Sequence, residues 1–188
     1  MDFTFDTMIS GPVDRVMELL RDRLVELVPY LPAIDHVEER EREVDGARVR
    51  IVNAWQGNSK GLPLFAKPFV TKAMTAWSDV AIWDAGARSV QWRFIPRKFQ
   101  GLYTCGGTNY LVAEGDQTRL TINGNLEIHP EKLPMPRRMA DRFAPRVAKW
   151  AVGKVGPNLL QVPAAVQAFF EAERGAVDGP EPGTPAGR

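Results

Sequence analysis

Residues 2–20 read DFTFDTMISGPVDRVMELL, and the hydrophobic period of this stretch changes within a few residues. Across residues 2–9 apolar and polar side chains alternate, which is the period of a half-buried strand. The tripeptide Ser10-Gly11-Pro12 then ends the strand with residue types that favour the start of a helix. Beyond it, apolar residues recur at helical spacing. The stretch therefore predicts a strand that leads directly into an amphipathic helix.

Downstream, the helical pattern continues to Pro29 and is compatible with two short helices. From Ile34 the chain alternates again, and Asp45-Gly46 is a residue pair that favours the tight turn of a hairpin. Four more strands are predicted, at about residues 73–83, 88–96, 101–113 and 117–128. This spacing is typical of an antiparallel meander.

Helical spacing returns after Pro130, where Met139, Phe143 and Trp150 fall on one face of a predicted helix. A last helical segment is predicted to reach residue 173. The Gly- and Pro-rich residues 175–188 cannot build a core, and we expect them to form a disordered tail. Residues 1–174 are therefore predicted to form one domain.

Composition narrows the classes of function. The 188 residues carry 24 Lys and Arg against 23 Asp and Glu, and this near-neutral balance disfavours a nucleic-acid-binding role. The single cysteine can form neither an internal disulfide nor a Cys-based zinc site. No secretory signal is recognisable, and no apolar run approaches the roughly 20 residues that span a bilayer. We expect a cytoplasmic protein.

This order of elements resembles the START-like superfamily, which includes the birch-pollen-allergen-like and the polyketide cyclase/dehydrase-like proteins. The matching stretches are SGPVDRVMELL (10–20), LPAIDHVE (31–38), WD (83–84) with VQW (90–92), and GDQTRL (115–120). The resemblance covers about residues 2–173. It implies an α+β helix-grip fold, in which a curved seven-stranded antiparallel sheet wraps around a long C-terminal helix and leaves a ligand cavity between them.

In such a fold, large side chains either fill or line the interior. The aromatic and aliphatic residues that we predict to face this space are Trp55, Trp92, Phe94, Tyr110, Ile122 and Leu126 on strands, with Met139, Phe143 and Trp150 on the helix. A dry core built from the same residues is the alternative. Asn53 and Asn109 share strand faces with these residues, and could either orient a polar end of the ligand or form structural hydrogen bonds.

No catalytic motif is present at its expected spacing. His36 and His129 lack the spacing of a metal-ligand pair, so we expect no metal and no other cofactor. Polar residues in predicted strands include Asn53, Asp79, Arg93, Asn109 and Glu127. We expect most of them to face water, and strand alternation assigns Arg93 and Glu127 to the outer face. An enzyme would need an interior acid or base, for which His36, Asp79 and Tyr110 are the candidates.

Cys105-Gly106-Gly107 places two glycines inside a predicted strand. They indicate either room for a ligand or sheet curvature, and Cys105 is best explained as a small buried thiol.

The sequence favours a protein that binds or carries a hydrophobic small molecule, such as a lipid, an aromatic compound or a polyketide-like compound, in an internal apolar cavity. One alternative is a metal-free cyclase or dehydratase using the same cavity. Another is a lipid transfer protein that contacts an anionic membrane transiently, since residues 131–154 hold seven Lys or Arg against two acids and loop 57–72 holds three lysines. The sequence leaves the identity of the ligand and the oligomeric state open.

Overall fold

A computed structural model describes residues 1–58, 60, 72–98, 100–101, 103–129 and 159–177. The elements are β1 (Asp2–Ile9), α1 (Val13–Asp22), a 3₁₀ helix (Leu24–Tyr30), β2 (Ile34–Asp45), β3 (Arg48–Gly57), a short 3₁₀ helix (Lys72–Met74), β4 (Ala76–Asp84), β5 (Ser89–Pro96), β6 (Tyr103–Glu114), β7 (Gln117–Ile128) and α2 (Gln161–Val177).

The strands form one antiparallel sheet in the order β1-β7-β6-β5-β4-β3-β2. Strands β2 to β7 follow one another as a meander, and β1 pairs with β7. The predicted α+β class, with seven antiparallel strands and two short helices between the first two strands, is confirmed. The predicted Asp45-Gly46 turn is also confirmed, since Gly46 adopts a φ of 57°, which a residue without a side chain reaches at little cost.

The sheet is curved, and a pair of facing glycines on two of its strands permits close approach of neighbouring atoms. Gly107 on β6 lies directly opposite Gly124 on β7, on the concave face of the sheet. A Cβ atom added to Gly107 would collide with the carbonyl oxygen of Asn123, and one added to Gly124 would collide with the ring of Phe3. Of the two explanations for glycines in this strand, the structure therefore favours curvature through close backbone approach over room for a ligand.

Both helices pack on the concave side. Helix α1 contacts β6 and β7, while α2 contacts β1 and the 3₁₀ helix Leu24–Tyr30. The residues that fill the space under α1 are almost completely buried; we call Ile9, Val16, Leu19, Leu111, Thr118 and Leu120 the packed region.

Helix α2 is attached to the start of the chain by polar and aromatic contacts. The Ser10 N–H donates a hydrogen bond to Gln167 Oε1 over 2.8 Å. The ring of Phe169 meets that of Tyr30 edge-on at 5.9 Å between centroids. Arg15 forms a 2.6 Å ion pair with Glu173. These contacts hold α2 beside β1, which is one edge strand of the sheet. Strands β2, β3 and β4 lie toward the other edge.

Helix α2 ends at Val177, three residues beyond the predicted domain end at 174. The rest of the predicted tail, residues 178–188, lies outside the described residues, as does the predicted helix that carries Met139, Phe143 and Trp150. Among the described helices, none has the length and apolar character needed to cross a membrane.

Candidate functional site

The strand register brings one acidic residue into an aromatic surrounding on the concave face. Asp79 on β4 lies opposite Asn53 on β3 and opposite Phe94 on β5. One step along the same strands, Trp77 lies opposite Trp55. Because side chains two residues apart share a face of a strand, all five point to the same side of the sheet. We call Asn53, Trp55, Trp77, Asp79 and Phe94 the aromatic–aspartate cluster.

The aromatic rings of this region touch one another in sequence. Trp55 and Trp77 are stacked, with ring centroids 5.6 Å apart and an interplanar angle of 13°. Trp77 meets Phe94 edge-on at 6.3 Å, and Phe94 meets Trp92 at 4.8 Å. Four rings from three strands thus form a continuous aromatic wall on the concave face, which is the kind of apolar lining that ligand sites use.

Three polar atoms in the cluster are shielded from solvent and have no hydrogen-bond partner. They are Trp55 Nε1, Trp77 Nε1 and Asp79 Oδ1, and they are the whole set of such side-chain atoms in the part of the chain that the structure describes. An unpaired buried polar group costs about 1–3 kcal/mol of stability, so a group of three in one place requires an explanation. The position of the three atoms on the concave face supports one explanation, in which a bound ligand supplies the missing hydrogen-bond partners.

The neighbouring tryptophan shows that the fold can satisfy an indole N–H on this face. Trp92 Nε1 donates a 2.7 Å hydrogen bond to Asn109 Oδ1. The lack of hydrogen-bond partners is therefore specific to the aromatic–aspartate cluster and is not general to the indole groups of this face.

Burial raises the pKa of the Asp79 carboxyl to about 7. Desolvation disfavours the charged form, and no arginine or lysine of the described chain pairs with this carboxyl to offset that effect. Near neutral pH both protonation states of Asp79 are consequently populated, which is the condition that a general acid or base requires.

Most of the strand residues predicted to line the interior are on the concave face. Trp55, Trp92, Ile122 and Leu126 are buried there, and Phe94 is partly buried against them. That they contact a ligand stays a prediction.

The two asparagines predicted to face inward do so, with different surroundings. Asn53 is only 6% exposed and lies opposite Asp79 in the register. Asn109 accepts the hydrogen bond from Trp92, which is the structural alternative that the sequence left open for it.

The expected inward orientation of Tyr110 is wrong. Its strand neighbour Asn109 faces inward, so alternation turns Tyr110 to the outer face, where it is 46% exposed. It borders a shallow, open depression with Asp2, Thr108 and Asn123, which is too exposed to enclose an apolar molecule. His36 is also exposed, with its Nε2 atom 3.7 Å from Glu38. The helical candidates Met139, Phe143 and Trp150 lie outside the described residues.

Of the three candidates for an interior acid or base, Asp79 is the one that the structure places on the concave face. Arg93 and Glu127 do face water, but Asp79 faces the concave side. The signal was present in the strand itself, since Trp77, Asp79, Ala81 and Trp83 alternate with Ser78, Val80 and Ile82. A strand with two tryptophans on one side turns that side toward the core, and Asp79 with it.

Cys105 lies next to Phe94 in the same lateral row and is 3% exposed. Burial raises the pKa of its thiol to about 11, so the thiolate needed for nucleophilic attack is rare at neutral pH. Over the ranges with described side chains, no group of three His, Cys, Asp or Glu side chains lies close enough to hold a metal ion.

No protein-family model and no curated protein matches this chain. Solved structures do match it. TTHA0849 from Thermus thermophilus is 22% identical, with a TM-score of 0.60, and the match covers 90% of this chain and 99% of that one. The Zhui aromatase/cyclase from Streptomyces sp. R1128 is 15% identical, with a TM-score of 0.63 and coverages of 96% and 99%.

The major latex-like protein 151 from Panax ginseng is 17% identical, with a TM-score of 0.54, and the match covers 90% of this chain and 96% of that one. At such identities the likeness concerns the fold and not the activity. The chain has the helix-grip fold of the START-like and birch-pollen-allergen-like proteins, as the sequence predicted.

Proposed function

We propose that this chain binds a hydrophobic small molecule on the concave face of its sheet, with the aromatic–aspartate cluster receiving the polar end of that molecule. The observation that carries the proposal is the set of three unpaired buried polar atoms, Trp55 Nε1, Trp77 Nε1 and Asp79 Oδ1, beside a continuous aromatic wall. A ligand that covers the wall and supplies hydrogen-bond partners would remove the cost of all three atoms at once.

Affinity would come mainly from burial of apolar surface against the rings of Trp55, Trp77 and Phe94. Each Å² of apolar surface removed from water contributes about 25 cal/mol, so a ligand with a flat apolar body gains most of its binding free energy there. The few polar contacts would fix its orientation. The fold supports this division of roles, because a curved sheet under a helix encloses space that side chains or ligands fill.

The aromatase/cyclase with the same fold shows that a helix-grip protein can be an enzyme. A cyclase or dehydratase activity is the second candidate function here, and the observation that favours it is Asp79. With a pKa near 7 and a position against the aromatic wall, its carboxyl could donate a proton to a departing hydroxyl or remove one from a carbon next to a carbonyl. This candidate predicts that Asp79→Asn abolishes turnover and leaves binding of the apolar body intact.

Contact with an anionic membrane remains a prediction from the sequence. The basic segment 131–154 and most of loop 57–72, on which it depends, lie outside the described residues.

Native mass spectrometry of the gently purified full chain tests the binding proposal, followed by extraction and identification of any compound that accompanies it. We expect a bound hydrophobic compound, or saturable binding of the apolar fluorescent probe N-phenyl-1-naphthylamine by the empty protein. Trp77→Ala should weaken this binding at least tenfold. The matched control is Tyr110→Ala, which removes an aromatic ring from the outer face of the same sheet and should leave binding unchanged.

Absence of both a co-purified compound and saturable probe binding would refute the proposal. Equal loss of binding in the two variants would contradict the placement of the site on the concave face.

A further inference from the structure

The carboxyl of Asp79 has an environment that no other described acidic residue shares. The carboxylates of Asp22, Glu39 and Asp84, for example, each pair with an arginine near the surface. Asp79 instead lies among aromatic rings, with Oδ1 shielded from solvent and without a partner. A buried carboxylate is strongly destabilising unless a cation or several hydrogen-bond donors accompany it.

We propose that the ligand of the aromatic–aspartate cluster is an amphiphilic organic amine, whose ammonium group pairs with Asp79 and whose oxygen accepts a hydrogen bond from the indole N–H of Trp55 or Trp77. This inference rests on the proposed binding function and specifies the chemical class of the ligand. It also accounts for three features of the cluster that a plain hydrocarbon ligand would leave unexplained.

The first feature is the carboxyl itself. An ammonium group supplies both a positive charge and N–H donors, so it satisfies Oδ1 and stabilises the charged form of Asp79 within one contact. A neutral hydroxyl would supply one donor and no charge. A ligand carboxylate would add a second negative charge and would be repelled at this position.

The second feature is the aromatic wall next to the carboxyl. Trp77 precedes Asp79 by two residues on the same face, and Phe94 lies opposite Asp79 on the neighbouring strand. Tryptophan gives the strongest attraction to a cation of any aromatic side chain, and the attraction increases when the cation leaves water. Elsewhere in the molecule the same kind of contact already occurs, with the Arg15 guanidinium 5.2 Å from the centre of the Phe170 ring.

The third feature is the pair of indole N–H groups. Trp55 and Trp77 both present a buried donor without an acceptor, and an ammonium group offers no acceptor. The ligand therefore also needs a hydrogen-bond acceptor, which an oxygen atom supplies. An amine that has a hydroxyl, ether or carbonyl oxygen on its apolar body meets this requirement, whereas a simple alkylamine does not.

Three probes that share one apolar body separate the possibilities: 5-methoxytryptamine, 5-methoxytryptophol and 5-methoxyindole-3-acetic acid. They share the ring and the ether oxygen, and they end in an ammonium, a hydroxyl and a carboxylate respectively. Isothermal titration calorimetry at pH 8 with the full chain should give at least tenfold tighter binding of the amine than of the alcohol, and the weakest binding for the acid.

Asp79→Asn keeps the shape of the side chain and removes its charge. In this variant the affinity for the amine should fall at least tenfold, while the affinity for the alcohol should change by less than threefold. Tyr110→Phe, on the outer face, serves as the matched control and should leave all three affinities unchanged. Circular dichroism verifies that each variant is folded before titration.

Equal affinity for amine and alcohol, or full retention of amine binding in Asp79→Asn, would overturn this inference and leave the proposed binding function standing. Failure of all three probes to bind a wild-type protein that still binds N-phenyl-1-naphthylamine would overturn this inference alone, whereas absence of any binding, of N-phenyl-1-naphthylamine and of a co-purified compound included, would overturn both.

Discussion

The packed region and the aromatic–aspartate cluster lie on the same face of the same sheet, and they treat buried polar groups in opposite ways. In the packed region, side chains of α1 meet those of β6 and β7, and the one buried hydroxyl, that of Thr118, donates a 2.7 Å hydrogen bond to the carbonyl oxygen of Gly11. In the cluster, two indole nitrogens and one carboxyl oxygen are buried without partners.

The difference separates the part of the concave face that stabilises the fold from the part at which we propose that a ligand binds. Complete packing and satisfied hydrogen bonds maximise stability, and the packed region has both. The aromatic–aspartate cluster gives up part of that stability, which is a common property of sites that must receive another molecule. Four measurements test this contrast, and they follow in order of decreasing expected effect on the free energy of unfolding.

Leu19→Ala should have the largest destabilising effect. Leu19 is 1% exposed, and its truncation removes apolar contacts and leaves a cavity under α1, which we expect to lower the free energy of unfolding by about 3–4 kcal/mol. Urea denaturation measures the loss. Probe binding by the fraction that remains folded should not change, and a loss of affinity in that fraction would show that the two regions are not separate.

Asp79→Asn should stabilise the protein, by an amount that depends on pH. Burial raises the pKa of Asp79 to about 7, so between about pH 4 and pH 7 the folded protein holds a proton that the unfolded chain has released. Wild-type stability therefore falls as the pH rises through this window, and the asparagine variant avoids the loss. We expect it to be about 3–4 kcal/mol more stable at pH 8 and nearly equal to the wild type at pH 3.5.

Denaturation curves at the two pH values give the comparison. The groups that face Asp79 from neighbouring strands are Asn53 and Phe94, with Cys105 beyond Phe94 and Glu39 beyond Asn53. Cys105 is a neutral thiol in this range, and Glu39 is paired with Arg42 at 2.7 Å. Equal stabilisation at both pH values would show that Asp79 does not titrate as its burial implies.

Thr118→Val should lower the free energy of unfolding by about 1–2 kcal/mol, since it leaves the buried carbonyl of Gly11 without its donor while keeping the side-chain volume. Thermal and urea unfolding both detect a change of this size. A neutral result would mean that the hydroxyl contributes nothing net, and the contrast between the two regions would then rest on packing alone.

Trp55→Phe should have the smallest effect, within about 1 kcal/mol, because the indole N–H that it removes has no partner to lose and its removal offsets part of the lost stacking on Trp77. The same urea measurement applies. A cost as large as that of Thr118→Val would indicate that Trp55 Nε1 has a partner and that the cluster is more completely satisfied than its contacts show.

Hydrophobic period and turn residues were sufficient to predict the order of the strands and helices, while the helix-grip arrangement was implied by the resemblance to the START-like superfamily. The alternation around Phe3 and Phe5, the break at Ser10-Gly11-Pro12 and the Asp45-Gly46 turn are local signals, and each appears in the structure at the predicted place. Local signals work here because a meander pairs each strand with its neighbour in sequence. The end of α2 is an exception, since the helix runs through Gly175 to Val177 where composition predicted a tail.

The site was only partly predictable, because it depends on register across three strands. Asn53, Asp79 and Phe94 are far apart in sequence and become neighbours only through pairing of β3, β4 and β5. Strand alternation alone could have turned Asp79 inward and Tyr110 outward. It could not have shown that Asp79 and the two tryptophans lack hydrogen-bond partners, which depends on the complete surroundings of each atom.

The facing glycines Gly107 and Gly124 have a consequence for how this protein can change over evolutionary time. They allow close approach at β6 and β7 that an added Cβ atom would prevent, at positions other than Asn53, Asp79 and Trp55. Under the proposed binding function, substitutions among those three residues would therefore alter which ligand is bound and leave the paired glycines in place. On that proposal, selection for a new ligand would act on β3 and β4 while Gly107 and Gly124 are inherited unchanged.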